Sequence, residues 1–306
     1  MTRVALNLSG YVNGVAERHA ETSRRMFKGF RFHAITNGVH AATWTSESFA
    51  RLYQVHIPHW QHEPELLVRA DRLPDAEVWS AHQEAKQALL SRIEELSGVA
   101  LDRDVPLITW ARRMTGYKRP ELLFSDLERL VAIHKQRPFR VVFAGKAHPQ
   151  DVTGKQAIEG IHRRIAELSG VLPIAFLPDY DMELARYLVS GADVWLNTPV
   201  PPLEASGTSG MKAALNGVLN FAVPDGWWQE AVIEDDNGWA IGDGMPEHAD
   251  QDAGILYDKL EHKVLPLFYE DPTQWIWMMK QSISKISYYF NSNRMMRRYA
   301  AEAYLR

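Results

Sequence analysis

From about residue 85 onward the chain alternates short, almost continuously apolar runs with longer stretches of helical period. Residues 86–96 predict a helix, with Leu89, Ile93 and Leu96 on one face and Gly98 as its stop. A buried strand is expected at 105–110, then a helix over 121–135 and a second strand over 139–144, closed by Gly145. The pattern continues as helix 156–168, strand 174–177, helix 182–189, strand 194–196 and strand 218–223. Strands this short and apolar, separated by helices, imply an α/β fold whose parallel sheet is covered on both faces. Such sheets bind ligands in the crevice beyond the C-terminal ends of their strands.

Residues 1–80 lack this alternation. Trp44, His56, His59, Trp60 and His62 fall without a clear period, and the segment reads as part of a domain. Residues 252–269 and 291–305 have helical character, with Asp252 a candidate N-cap and Pro272 a break.

Composition narrows the function classes. A chain of 306 residues with 46% hydrophobic content can bury a large core, on a length prior of about two domains. A formal net charge of −4 gives no global electrostatic case for nucleic acid or an anionic membrane. The absence of cysteine removes disulfides, thiolate metal sites and a cysteine nucleophile together. No apolar run approaches the ~20 residues that span a bilayer, and the first residues lack a signal-peptide core. A soluble, cytoplasmic protein is the expectation.

The candidate chemistry sits in the loops after the expected strands. Residues 204–212, Glu-Ala-Ser-Gly-Thr-Ser-Gly-Met-Lys, follow one strand and open a helix. Amides freed by Gly207 and Gly210, with the hydroxyls of Ser206, Thr208 and Ser209, can ring an anion at a helix N-terminus, with Lys212 one turn further on. Desolvation or a cationic neighbour lowers a lysine pKa and opens Schiff-base chemistry. The competing reading is a glycine-rich turn followed by a surface lysine. Arg112, Arg113, Lys118 and Arg119 surround Tyr117 after the strand ending at Trp110; alone, such a group is more often a solvated face. A helix terminus contributes only ~0.3–2 kcal/mol per favourable charge, so a phosphate dianion in the crevice needs these cations as well. Lys146 and His148 follow a third strand, and Tyr180 a fourth. Glu204 is either an acceptor for polyol hydroxyls or a partner for a nearby arginine. His19, His40 and His148 show no metal-ligand spacing, and Walker A, GxGxxG and GxSxG patterns are absent. Asp225-Gly-Trp-Trp either covers the crevice or packs the core.

Glu204-Ala-Ser-Gly-Thr-Ser-Gly-Met-Lys212 and Arg112-Arg-Met-Thr-Gly-Tyr-Lys-Arg119 resemble the two signatures of the α-glucan (glycogen/maltodextrin) phosphorylases. Tyr11-Val-Asn-Gly-Val-Ala-Glu-Arg-His19 and Ile35-Thr-Asn-Gly-Val-His40 are similar to that family's segments leading into its C-terminal domain, and the order agrees. The resemblance is greatest to the bacterial and archaeal short-type branch. It implies a GT-B architecture of two Rossmann-like domains and pyridoxal 5′-phosphate on Lys212. It further implies retaining phosphorolysis of an α-1,4-glucan by inorganic phosphate to glucose 1-phosphate. In that scheme Arg113 and Lys118 bind substrate phosphate, and Arg112 faces the cofactor phosphate. Tyr117 touches phosphate or sugar, and Gly207, Thr208, Ser209 and Tyr180 complete the cofactor site. Glu204, Ser206 and Asn37 match positions that hold glucosyl hydroxyls.

Two departures stand out. Asp181 replaces an arginine that some relatives carry. The resemblance also covers only the C-terminal part of the family's enzyme, without the glycine-rich loop and sugar-binding histidine of its N-terminal domain. The expected division is a partial N-terminal-domain or inter-domain segment over 1–84, a Rossmann-like domain binding cofactor and phosphate over 85–285, and a C-terminal helix over 286–306 packing back toward the first segment. A shortened gene product, a split enzyme with its other domain in trans and a homodimer are all compatible with this. So is a chain of little or no activity by itself. A nucleotide-sugar-dependent GT-B glycosyltransferase, in which Lys212 is incidental, and a non-catalytic carbohydrate-binding module remain alternatives.

Overall fold

A computed structural model describes residues 1–305. Six parallel strands form the central sheet: β1 (Leu107–Ala111), β2 (Arg140–Ala144), β3 (Ile174–Leu177), β4 (Val194–Asn197), β5 (Leu219–Ala222) and β6 (Gly238–Ala240). Their spatial order is β3-β2-β1-β4-β5-β6. The connection after β3 therefore carries the chain across to the far side of β1, so β1 and β4 flank the point where strand order reverses.

Alternate side chains of each strand enter different cores. Ile108 and Trp110 of β1, with Val141 and Phe143 of β2, join one cluster; Leu107 and Ala111, with Val142 and Ala144, join the other. Helix α1 (Asp75–Ser97) covers the second face with Leu89, Leu90 and Ile93. It packs on α4 (Met182–Gly191) so closely that a Cβ on Gly191 would lie 2.5 Å from the Leu89 Cβ. Burial on both faces explains why these strands read as unbroken apolar runs.

Most expected elements are present, with instructive differences at their ends. The helix expected over 121–135 is divided: a short 3₁₀ turn (Pro120–Phe124) precedes α2 (Leu127–Gln136), because Asp126 takes up the N-cap and accepts the Arg129 amide at 2.9 Å. Asp151 and Asp181 cap α3 (Val152–Glu167) and α4 in the same way. Asp252 is not a cap. Its carboxylate pairs with Arg119 at 2.5 Å. The region without a legible period holds helices over Glu17–Met26 and Glu47–His56 and the first part of α1, which runs through position 84 without interruption.

The first residues form a small satellite core of Leu6, Ala20, Phe32 and Ala34 beside a two-residue parallel pairing of Asn13–Gly14 with His33–Ala34. The last helix returns to this segment. Phe290 and Ser292 exchange backbone hydrogen bonds with Val39, and the Arg294 guanidinium donates to the carbonyls of Thr36 and Asn37 at 2.6 and 3.0 Å.

At the opposite edge from the motif loops lies a buried ionic knot. Asp193, just before β4, accepts from His82 Nε2 at 2.8 Å and the Leu107 amide at 2.7 Å, and pairs with Lys86 Nζ at 2.6 Å. Burial alone would raise the Asp193 carboxyl, but Lys86 and His82 outweigh it and hold it below the usual range. The knot fastens α1 to the N-terminal ends of β1 and β4. Asp193→Ala leaves the Lys86 charge buried without its partner, and a loss of about 3–5 kcal/mol is expected. Urea titration measures it; a loss under about 1 kcal/mol would show that the knot carries no stability.

Candidate active site

The loops after β1 and β4 meet where the strand order reverses. Thr198, directly after β4, stitches them together: its hydroxyl donates to the carbonyls of Lys118 and Arg119 at 2.9 and 3.0 Å and accepts from Trp110 Nε1 at 3.1 Å. Arg119, counted with the cationic cluster on sequence grounds, is instead a brace. Its guanidinium binds the carbonyls of Thr198, Pro199 and Ala249 as well as Asp252. Of the cationic cluster, Arg112 and Lys118 are the two that are buried beside Glu204, and Arg113 is exposed.

Arg112 is buried. It donates to the Leu196 carbonyl at 2.6 Å and stacks 4.8 Å from the Trp110 ring centroid, while its Nε has no partner. Burial pulls its pKa down to about 10, against the opposing pull of Glu204, Tyr180 and Tyr117. A guanidinium this desolvated, with a donor to spare, is suited to a bound anion. Arg113 next to it is exposed, and Tyr117 is half-buried with Lys118 Nζ 4.8 Å from its ring centroid.

Lys118 and Glu204 are both buried and form an ion pair across the crevice. Glu204 thus has a basic partner in this structure, a lysine rather than an arginine. Asp225 sits underneath: one carboxylate oxygen accepts the Glu204 amide and the other the Gly226 amide, both at 2.9 Å. Gly226 has φ +56, and a Cβ there would lie 2.3 Å from the Ser206 carbonyl, so only glycine lets the two loops approach. Burial raises the Asp225 carboxyl to about 6, partly offset by those two amides.

Lys212 lies in α5 (Ser209–Ala214). This helix has six residues, so its dipole is weaker than the anion-ring reading assumed. The hydroxyl of Ser209 accepts from Trp195 Nε1 at 3.1 Å, whereas Thr208, the N-cap residue, makes no side-chain capping bond. Lys212 is not the surface lysine of the competing reading. Its Nζ lies 3.6 Å from the Trp44 ring centroid, and burial lowers its pKa. Trp44 carried no signal in its local sequence; the contact comes from residues 168 positions apart by chain and adjacent only in the fold. The same indole helps line a groove of about 670 Å³ with Thr43, Ser46, Glu84 and Tyr187.

The remaining candidates are distributed around the crevice. Tyr180 is largely buried, with its hydroxyl pKa raised by burial and lowered by Arg112. Ser206 donates weakly to the Gly207 carbonyl at 3.3 Å. Asn37 is held among the terminal segments instead: its amide donates to the Val15 carbonyl at 3.0 Å and its carbonyl accepts from Arg294, while its neighbour Thr36 donates to Glu230 at 2.8 Å. His19 serves its own loop by accepting the Val15 amide, and Trp227 and Trp228 pack the core. Among the described residues no three His, Asp or Glu side chains are arranged to hold a metal ion, and no helix is long and apolar enough to cross a membrane.

The fold is a doubly wound, Rossmann-type parallel sheet, with Arg112, Lys118 and Glu204 gathered at its switch point and a partly desolvated lysine in the helix after β4. The carbohydrate phosphorylase family model matches residues 1–261, and the chain belongs to that family. It is 41% identical over 99% of its length to a glycogen phosphorylase of Aquifex aeolicus, covering 49% of that protein. A maltodextrin phosphorylase of Thermococcus litoralis is 38% identical and a glycogen phosphorylase of Mycobacterium tuberculosis 35%, each over 99% of this chain and 40% of the relative. The chain thus spans about half the length of these relatives or less.

Asp225 generates a pH signature. Its carboxyl is raised in the fold, so the native state binds the proton more tightly than the unfolded chain does. Stability is then greatest below the unfolded value near ~4 and falls as pH rises to about 6. Urea midpoints across pH 4–7 should decline over that window and the decline should vanish in Asp225→Asn; identical profiles would refute the assignment.

Proposed function

We propose that the chain is the cofactor- and phosphate-bearing portion of an α-glucan phosphorylase, cleaving α-1,4-glucan with inorganic phosphate to release glucose 1-phosphate with retention. The observation that carries this reading is the half-buried amine of Lys212 on Trp44, in the helix that opens from the loop after β4, together with the spare donor of Arg112 after β1. These residues suit pyridoxal 5′-phosphate: Lys212 for its aldehyde, and Arg112, Thr208 and the amides near Gly207 for its phosphate, with Ser209 and Tyr180 alongside. When bound, that cofactor supplies a phosphate able to exchange a proton with substrate phosphate.

The chain's own residues bind and orient. Arg113, exposed and without a competing partner in the crevice, and Lys118 receive substrate phosphate, with Tyr117 beside them. Lys118 starts on Glu204. An arriving dianion draws the ammonium across and leaves the carboxylate free to accept glucosyl hydroxyls, with Ser206 and Asn37 as further contacts. Removing one member of a buried pair costs about 3–5 kcal/mol, so the exchange must be close to balanced in charge. Phosphate does this. Asp225 holds the Glu204 backbone still meanwhile.

Incubation with pyridoxal 5′-phosphate followed by borohydride should add one reduced cofactor at Lys212, and Lys212→Ala should take up none. Stoichiometric labelling of that variant would sink the reading, and protection by a nucleotide sugar instead would favour the transferase alternative. Arg113→Ala should weaken phosphate binding about tenfold, ~1.4 kcal/mol, while leaving maltodextrin affinity within about twofold; equal losses would make Arg113 structural.

The exchange at Lys118 also predicts coupling between ligands. Maltose should bind the cofactor-loaded chain several-fold more tightly in saturating phosphate than in buffer free of phosphate and sulfate, read by titration calorimetry. Equal affinities would show that Glu204 is not uncovered by the anion.

A further inference from the structure

Asn216 lies one turn beyond Lys212 and is wholly buried. Its amide nitrogen donates to the Trp44 carbonyl at 2.9 Å and to the Lys212 carbonyl at 3.1 Å, and its oxygen accepts the Ser46 amide at 2.7 Å. All three bonds converge on two segments far apart in sequence: the crossing strand of chain at 44–46 and the end of α5. A second tie lies nearby, where the buried Tyr53 hydroxyl donates to the Leu215 carbonyl at 2.7 Å. The four bonds hold one piece of backbone against another at the place where the indole meets the amine.

We propose that Asn216 is a positioning residue for Lys212: by fixing the Trp44 backbone to the lysine's own helix, it sets the indole as a wall that holds the amine in one buried orientation facing the crevice. This rests on the reading of Lys212 as the point of cofactor attachment and adds how the chain prepares that amine.

The physical need is clear from the side chain. A lysine has four rotatable bonds and about 2 kcal/mol of rotamer entropy, and an ammonium prefers water to any apolar wall. One turn of helix ending at Ala214 cannot restrict the far end of such a chain. An indole face does so by excluding solvent from one side of the amine; its own pull on the ammonium, about 0.5–2 kcal/mol, opposes the lowering of the pKa, and the net direction is that of desolvation. The wall is effective only if its own position is fixed. Trp44 belongs to a four-residue helical turn, Ala41–Trp44, too short to place a side chain unaided. Asn216 supplies the missing constraint, and its two donors and one acceptor are all spent doing so. The lowered pKa of Lys212 agrees with an amine kept from water.

The test uses the chain itself with three variants: Trp44→Ala, Trp44→Phe and Asn216→Ser. Competitive acetylation of Lys212 as a function of pH, read by mass spectrometry, reports the amine without any cofactor. Borohydride-trapped attachment of pyridoxal 5′-phosphate reports the rate at which the amine is used. Trp44→Ala and Asn216→Ser should each move the acetylation midpoint upward by about one pH unit, toward a solvated lysine, and slow attachment about tenfold; Trp44→Phe, which keeps a ring face, should restore most of both. A merely structural Asn216 would lower thermal stability and leave the pH midpoint in place, which would overturn the proposal. If Asn216→Ser does not fold, Trp44→Ala decides, since it retains all three amide bonds; an unshifted midpoint there is also refutation. A parent protein that shifts as expected on acetylation but takes up no cofactor would uphold the clamp and overturn the reading of Lys212.

Discussion

Positive charge held out of water is the constraint around which this crevice is built. Arg112, Lys118 and Lys212 all follow the C-terminal ends of β1 and β4, each at least partly desolvated, and Glu204 is the carboxylate that faces the first two. Asp225, although raised to about 6, is ionised near neutrality, but both its oxygens are taken up by the Glu204 and Gly226 amides. Such an imbalance is costly in a low dielectric, and it persists because the frame around it is rigid. Thr198 and the Arg119 brace lock the β1 and β4 loops together, and the Asp225–Gly226 turn locks the β5 loop beneath them. An anionic ligand relieves such an imbalance, and this is the physical basis of the phosphate role proposed above.

Much of this was legible in the chain. Buried parallel strands announce themselves as short apolar runs, so the sheet and its C-terminal loops follow from pattern alone, and the charged and glycine-rich motifs fall on those loops. What was not legible depends on distance in sequence. β6 has three residues, and its glycine makes it look like a turn. The helices before residue 85 carry aromatic and histidine side chains on faces that become apolar only against the C-terminal helices. Trp44 and Asn216 have no local signature at all. Arg119 and Lys118 are adjacent and chemically alike, yet one is spent on carbonyls and the other faces the crevice; only the surrounding acceptors distinguish them.

The same distinction separates the two ends of the sheet. Asp193 and Lys86 form a buried pair much as Glu204 and Lys118 do, but the former is closed by His82, the Leu107 amide and the Val105 carbonyl, leaving neither charge anything further to bind. A pair whose two charges are both so fully met holds elements together, although Nδ1 of His82 beside it has no partner. At the crevice, Lys118 and Glu204 depend on each other for charge, and the neighbouring Arg112 keeps a donor free. Chemical identity therefore does not tell a structural ion pair from a functional one here. The number of remaining partners does, and by that measure reactive capacity lies at the C-terminal ends of β1 and β4, while the N-terminal ends supply the stability that lets those loops remain underfilled.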